Sequence, residues 1–177
     1  MKSLSICAAL LVSAAIFTFA ETKAGLTESA TIGGRKITIQ YASPAVNGRA
    51  GKLFGKDGRI SQDANYPVWR AGANNATAFH TDADLDVGGL TVPKGDYTLF
   101  VNLANPAGWE LIVNKQTGQS GLEYNAQQDL GRVKMTMAKP AAMVEQLKYT
   151  LSTSGGNKGK LELAWENVAA SVNFTVK

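Results

Sequence analysis

The residues best suited to ligand binding lie in one short stretch, residues 67–77, which reads PVWRAGANNAT. Trp69 offers a flat apolar face with one N–H donor, and Arg70 offers a planar fork that suits a carboxylate or a phosphate. Two asparagines and a threonine add mixed donors and acceptors, and small residues between them allow a ligand to approach closely. The stretch therefore predicts a site for a sugar or a small anionic ligand.

This stretch ends a longer segment, residues 42–75, that is rich in Gly and Pro and shows no regular alternation. Long ordered segments of this kind inside a compact domain are often functional. The segment also carries polar and basic side chains, so we add its first serine and first arginine to the candidate site. The predicted ligand-binding residues are Ser43, Arg49, Trp69, Arg70, Asn74, Asn75 and Thr77.

The same residues also have a purely structural interpretation. Trp69 is then an anchor of the core, and Arg70 pairs with a carboxylate such as Asp129. Asn74 satisfies backbone groups of a turn before a strand begins. The direction of these side chains decides between a fold signature and a binding site.

The sequence predicts no catalytic residues, no metal site and no cofactor. His80 is the only histidine, and the glycine-x-serine-x-glycine pattern of a nucleophile elbow is missing. Asp82, Asp84 and Asp86 have the spacing of a calcium loop but lack its later glycine and glutamate, and alternation would place all three on one exposed strand face. A single cysteine also excludes a cysteine-built zinc site.

Apolar and polar residues alternate with a period of two through most of the remaining chain, which places one face of each strand on a core and the other toward water. Pairs of glycines at 33–34 and 88–89 predict tight hairpins between such runs. The alternating runs are residues 36–41, 97–103, 133–137, 147–151, 161–165 and 172–176.

About ten short strands with turn signals between them predict an all-β fold, an antiparallel β-sandwich. An open β-barrel is the alternative. The nearest candidate for a helix, residues 138–147, is weakened by Pro140. We therefore expect residues 21–177 to form a single domain.

The N-terminal residues 1–20 have the pattern of a secretory signal peptide. Lys2 precedes an uncharged apolar run that ends before Glu21, and small residues allow cleavage after residue 20 or as late as residue 24. An uncleaved membrane anchor is the rival interpretation. Cleavage predicts an exported protein, periplasmic or extracellular, with no membrane span and no cysteine in the mature chain.

The charge of the chain indicates no nucleic-acid partner. The formal net charge is only +4, and the basic residues are spread along the sequence. The sequence leaves a glycan or another small ligand as the possible partner and does not fix the oligomeric state.

Several further motifs are spread along the mature chain. They lie at residues 41–49, 68–77, 93–100 and 129–133, together with Trp109, Asn114 and Lys115. Together they resemble the bacterial domain-of-unknown-function 2911 family. The resemblance covers nearly the whole mature chain and implies an exported, β-rich bacterial domain. It implies no activity, substrate or catalytic residue that could be transferred.

Three functions remain open at this level. The first is a non-catalytic binding module for a glycan, a small ligand or a partner protein, which a β-scaffold with one irregular polar segment favours. The second is a carboxylate-dependent hydrolase in which Arg70 stabilises an anion. The third is a structural envelope protein that acts through its sheet edges.

Overall fold

The alternating segments fold into two antiparallel sheets in the computed structural model, which describes residues 25–177. Sheet I has the strand order β1-β2-β4-β7-β8-β9, and β3 pairs with the end of β7 beyond β4. Its strands are β1 (Leu26–Ile32), β2 (Arg35–Tyr41), β3 (Val68–Trp69), β4 (Thr77–Thr81), β7 (Gly95–Asn102), β8 (Glu110–Asn114) and β9 (Asp129–Lys134).

Sheet II has the order β11-β12-β13-β5-β6, and β10 pairs with β13. The chain crosses from sheet I to sheet II between β9 and β10, and the free edge of β1 lies beside β11. The strands are β5 (Leu85–Val87), β6 (Leu90–Val92), β10 (Thr136–Ala138), β11 (Val144–Gly155), β12 (Lys158–Glu166) and β13 (Val168–Val176).

These two sheets confirm the predicted all-β sandwich and not the open barrel. The described residues form thirteen strands, more than expected, because short segments such as β3 and β10 also pair. Residues 138–147 form no helix, and none of the helical turns between residues 25 and 177 is long or apolar enough to cross a membrane. The predicted signal peptide, with either cleavage position, lies outside the described residues.

The alternation correctly identifies the core between the sheets. Leu99, Val133 and Phe174 have exposed fractions of 1%, 7% and 5%. The predicted glycine hairpins join β1 to β2 and β5 to β6, and all four glycines adopt positive φ angles. Glycine suits these turns because it has no Cβ to oppose such a backbone conformation.

Alternation fails on β7, where the side chains predicted to face water are also buried. Thr98 and Phe100 are each 1% exposed because residues 115–128 fold over the outer face of sheet I. The Thr98 hydroxyl donates to the Gln116 carbonyl at 2.7 Å, and the Tyr124 ring packs on Phe100 with a 5.0 Å centroid distance. A loop distant in sequence therefore turns a half-buried strand into a fully buried one.

The irregular segment 42–75 is ordered by specific hydrogen bonds at one end of the sandwich. The guanidinium of Arg49 donates to the carbonyl oxygens of Val46 and Ala45 at 2.9 and 2.7 Å. The buried carboxylate of Glu166, at the turn between β12 and β13, accepts the backbone N–H of Gly51. The Arg49 contacts brace the segment internally, and the Glu166 contact ties it to the end of β12 in sheet II.

The closest packing in the core provides a test of the sandwich. A Cβ atom at Gly159 would overlap the Phe174 ring and lie 2.7 Å from Cδ1 of Ile32. We expect Gly159→Ala to lower the free energy of unfolding by about 1–3 kcal/mol, measured by urea denaturation, because overpacking forces neighbours out of place. Gly108→Ala is the control, since the nearest atom to its Cβ is 3.7 Å away. Equal stabilities of both variants would contradict this packing.

Candidate functional site

The sequence-predicted stretch 67–77 divides between the inside and the outside of sheet I. Trp69 points into the core and is 2% exposed. Its ring stacks on Trp165 of sheet II, with a centroid distance of 5.9 Å and an interplanar angle of 13°. Phe54 and Trp109 pack on it at 5.6 and 6.2 Å. These four rings, the aromatic cluster, close one end of the sandwich.

Arg70 pairs with a carboxylate, but not with the one expected. Its Nη2 lies 3.5 Å from Oδ2 of Asp63, within the same irregular segment. Asp129, the partner suggested by the sequence, instead pairs with Arg132 at 3.0 Å and accepts the hydroxyl of Tyr124 at 2.7 Å. Burial in this contact, together with the hydrogen bond to Asp129, raises the pKa of Tyr124 to about 12.

Three other predicted residues hydrogen bond to the backbone. Thr77 is fully buried, and its hydroxyl lies 3.2 Å from the carbonyl oxygen of Ala71. The hydroxyl of Ser43 donates to the Leu147 carbonyl at 2.6 Å, and Arg49 braces its own loop as described above. These contacts explain the residues as parts of the fold, and ligand contact by them stays a prediction.

Asn74 and Asn75 lie on the opposite, outer side of sheet I. They line a groove of about 540 Å³ with Gln40 and Gln119. The Asn74 carbonyl accepts the N–H of Gly121 at 2.9 Å, which holds the covering loop beside the groove. The seven predicted residues therefore do not converge on one cavity, because successive parts of the stretch face opposite sides of the sheet.

The cavity with the most apolar lining is a cleft at the end of the sandwich closed by the aromatic cluster. It has a volume of about 630 Å³, and Trp109 and Phe54 belong both to the cluster and to the cleft wall. The long segment, the loop between β7 and β8, and strands of sheet II all contribute to it. The lining residues are Phe54, Gly55, Lys56, Tyr66, Leu103, Ala104, Pro106, Trp109, Met137, Ala138, Lys139 and Val168.

Sequence reasoning missed this apolar cleft because its walls come from five separate parts of the chain. Trp109 precedes β8, Met137 lies in β10 and Val168 begins β13, so no local motif unites them. The one available signal was that the long segment carries Phe54 and Tyr66 among polar residues. Neither residue belongs to a strand, so neither side chain is assigned by alternation to the core or to solvent, and each can line a cavity.

His80 forms a separate polar cluster on the outer face of sheet I. Its Nε2 lies 2.9 Å from Asp82 and its Nδ1 lies 2.7 Å from Asp96. Ionised carboxylates only accept hydrogen bonds, so both contacts are hydrogen bonds at the same time only when the imidazole is protonated on both nitrogens. The hydrogen bonds to Asp82 and Asp96 raise the pKa of His80, and the bond from His80 lowers the pKa of Asp82.

The carboxylates of Asp82, Asp84 and Asp86 do not share a common hydrogen-bond partner. Asp82 binds His80, Asp84 accepts the N–H of Lys94 at 2.8 Å, and Asp86 accepts the N–H of Gly89 at 2.8 Å. Asp82 and Asp84 are exposed and Asp86 is half-buried, each between buried neighbours as alternation predicts, but the three carboxylates bind different partners. Between residues 25 and 177, no group of three His, Cys, Asp or Glu side chains is arranged to hold a metal ion.

Comparison with known proteins identifies a family but no activity. The model of a family described as "Protein of unknown function (DUF2911)" matches residues 24–174, which include all the strands of both sheets except the end of β13. Comparisons with curated proteins and with solved structures gave no match.

The contacts of His80 predict its titration. We expect its pKa, measured by NMR, to lie above the ordinary value of about 6.5 and to fall in Asp82→Asn and in Asp96→Asn. The only histidine gives one imidazole signal, and His80→Asn identifies it.

The raised pKa of His80 also determines how protonation of this residue changes the stability of the fold with pH. A raised folded-state pKa stabilises the fold fully below about pH 6.5, and that contribution is lost as the pH rises through the folded-state pKa. The exposed position of His80 keeps the effect small. A measured pKa at or below 6.5 would rule out the doubly bonded arrangement.

Proposed function

The chain belongs to the DUF2911 family of unknown function, and from its own geometry we propose that it is an exported, non-catalytic binding module. Its site is the apolar cleft at the aromatic end of the sandwich. Its ligand is a small molecule with an apolar body. The sequence pattern of residues 1–20 supports export.

The observation that carries this proposal is a concave, aromatic wall at the junction of the two sheets. Trp109 is 5% exposed, and its ring lies 5.0 Å from Phe54, so the wall is held by packing with the core. A volume of about 630 Å³ falls within the range of small-molecule sites. Burial of about 200 Å² of apolar ligand surface contributes about 5 kcal/mol before the costs of association, which suits a ligand of modest affinity.

The chemistry of the lining supports binding over catalysis. Among residues 25–177, those that line the apolar cleft include two lysines but no histidine or carboxylate to activate water. The hydrolase alternative needs Arg70, Asn74 and a carboxylate in one pocket. Arg70 instead binds Asp63 and Asn74 lines the outer groove.

A contact between the sheets bears on the envelope-protein alternative. That function needs open sheet edges, but the N–H of Leu151 on β11 donates to the carboxylate of Glu28 on β1 at 3.0 Å. Strands β1 and β11, one edge strand of each sheet, therefore lie against each other, which favours a binding module over assembly through this edge.

The cleft can be tested with a neutral fluorescent probe, N-phenyl-1-naphthylamine. We expect saturable binding to the parent protein and at least tenfold weaker binding to Ala138→Phe, because the added ring fills the cleft. Ala138 is exposed on β10, so the substitution does not disturb the core.

Ala126→Phe is the matched control for this experiment. Ala126 is also exposed but lies in the loop that covers the outer face of sheet I. All three tryptophans belong to the aromatic cluster, so their fluorescence gives a second measure of occupancy. Absence of saturable binding, or equal binding to both variants, would refute the proposal.

A further inference from the structure

A second depression adjoins the apolar cleft, and its charge is strongly positive. It has a volume of about 560 Å³ and is formed by residues 49–62 of the irregular segment. Of the described residues, four cationic side chains and only one acidic side chain, that of Asp57, line it. The basic depression is lined by Arg49, Gly51, Lys52, Phe54, Gly55, Lys56, Asp57, Gly58, Arg59 and Gln62.

The apolar cleft and the basic depression form one continuous surface. They share Phe54, Gly55 and Lys56. The ring of Phe54 packs in the aromatic cluster, while the exposed Lys56 follows two residues later. The apolar wall of the cleft and the cationic wall of the depression are therefore formed by residues only two positions apart in the chain.

The loop that carries these cations is held in place before any ligand binds. The N–H groups of Arg59 and Ile60 donate to the carbonyl oxygens of Lys52 and Leu53 at 2.8 and 3.1 Å. Leu53 is fully buried, which fixes the base of the loop in the core. The cationic side chains therefore project from a rigid backbone, and binding costs little ordering of the chain.

The cations at the rim are poorly neutralised by the protein itself. Lys56 lies 3.9 Å from Asp57, and both side chains are about 90% exposed, so this ion pair contributes little. Lys52 is exposed and takes part in no salt bridge between described residues. The carboxylate of Glu166 lies beneath the loop and is already bound to the N–H of Gly51. An anion in the depression would relieve the mutual repulsion of these cations.

We propose that the ligand of the apolar cleft is a single amphipathic molecule whose apolar body lies against Phe54 and Trp109 and whose anionic headgroup, a phosphate or a carboxylate, lies among Lys52, Lys56 and Arg59. This inference rests on the proposed binding function and adds the chemical class of the ligand. The headgroup binds through charge and hydrogen bonds, and the body binds through burial of apolar surface.

The test compares decyl phosphate, decanoate and uncharged 1-decanol below their aggregation concentrations, by tryptophan fluorescence and calorimetry. We expect the parent protein to bind at least one of the two anions about tenfold or more tightly than 1-decanol, and this preference to shrink as salt is added. The anion that binds more tightly identifies the headgroup.

The double variant Lys52→Gln/Lys56→Gln removes two rim cations and leaves in place both Arg49, which braces the loop, and Arg59. We expect it to lose about tenfold in affinity for the preferred anion and to keep the parent affinity for 1-decanol. Lys94→Gln/Lys158→Gln changes the net charge equally. Both of its sites lie at the far ends of β7 and β12 from the cleft, so we expect it to behave as the parent.

The remaining outcomes separate this inference from the proposed function. Equal binding of 1-decanol and both anions by the parent would overturn the proposed anionic headgroup but leave the proposed binding function of the cleft standing. Binding of none of the three would overturn the binding function itself. Tight binding of inorganic phosphate without competition from 1-decanol would show a free-anion site and overturn the amphipathic ligand. Binding to phosphatidylglycerol vesicles, without binding of any of the three monomers, would overturn it in favour of a membrane surface.

Discussion

The stack of Trp69 on Trp165 is the contact on which the cleft end of the sandwich depends. It joins the short strand β3 of sheet I to the end of β12 in sheet II, and both rings are almost fully buried. Phe54 packs against both tryptophans and against Trp109 at 5.0–5.9 Å. A single side chain of the irregular segment is thereby anchored in the core. Aromatic rings in such arrangements gain attraction beyond the burial of their area.

Because Phe54 is anchored in the core, the irregular segment can line two adjoining depressions. Phe54 and its neighbours line both the apolar cleft and the basic depression. The hydrogen bond from Gly51 to the buried Glu166 holds the same loop from the other side. The segment is therefore a rigid wall built from loop residues. Because these residues lie outside the strands, the lysines are exposed to solvent without interrupting the alternation of buried and exposed residues in the sheets.

Much of the fold followed from period-two alternation, because a strand buried on one face must alternate. The prediction was wrong where a second layer covers the outer face, as at Thr98 and Phe100, since no local pattern reveals residues 115–128 folding over β7. The family assignment followed from motifs, and the family match confirms it. The chosen partner of Arg70 was wrong because pairing depends on proximity in space, and Asp63 is closer than Asp129.

The sequence by itself determined that the chain is all-β, favoured a sandwich over an open barrel, and located the alternating core positions and the glycine hairpins, since each follows from local periodicity and backbone conformation. Only the tertiary structure decided that residues 67–77 divide between two sides of sheet I, and that a cleft joins Phe54 to Trp109, Met137 and Val168. A cavity forms only where surfaces from separate parts of the chain come together. Its lining is set by the packing of two sheets and a loop, and no single stretch of sequence encodes that packing.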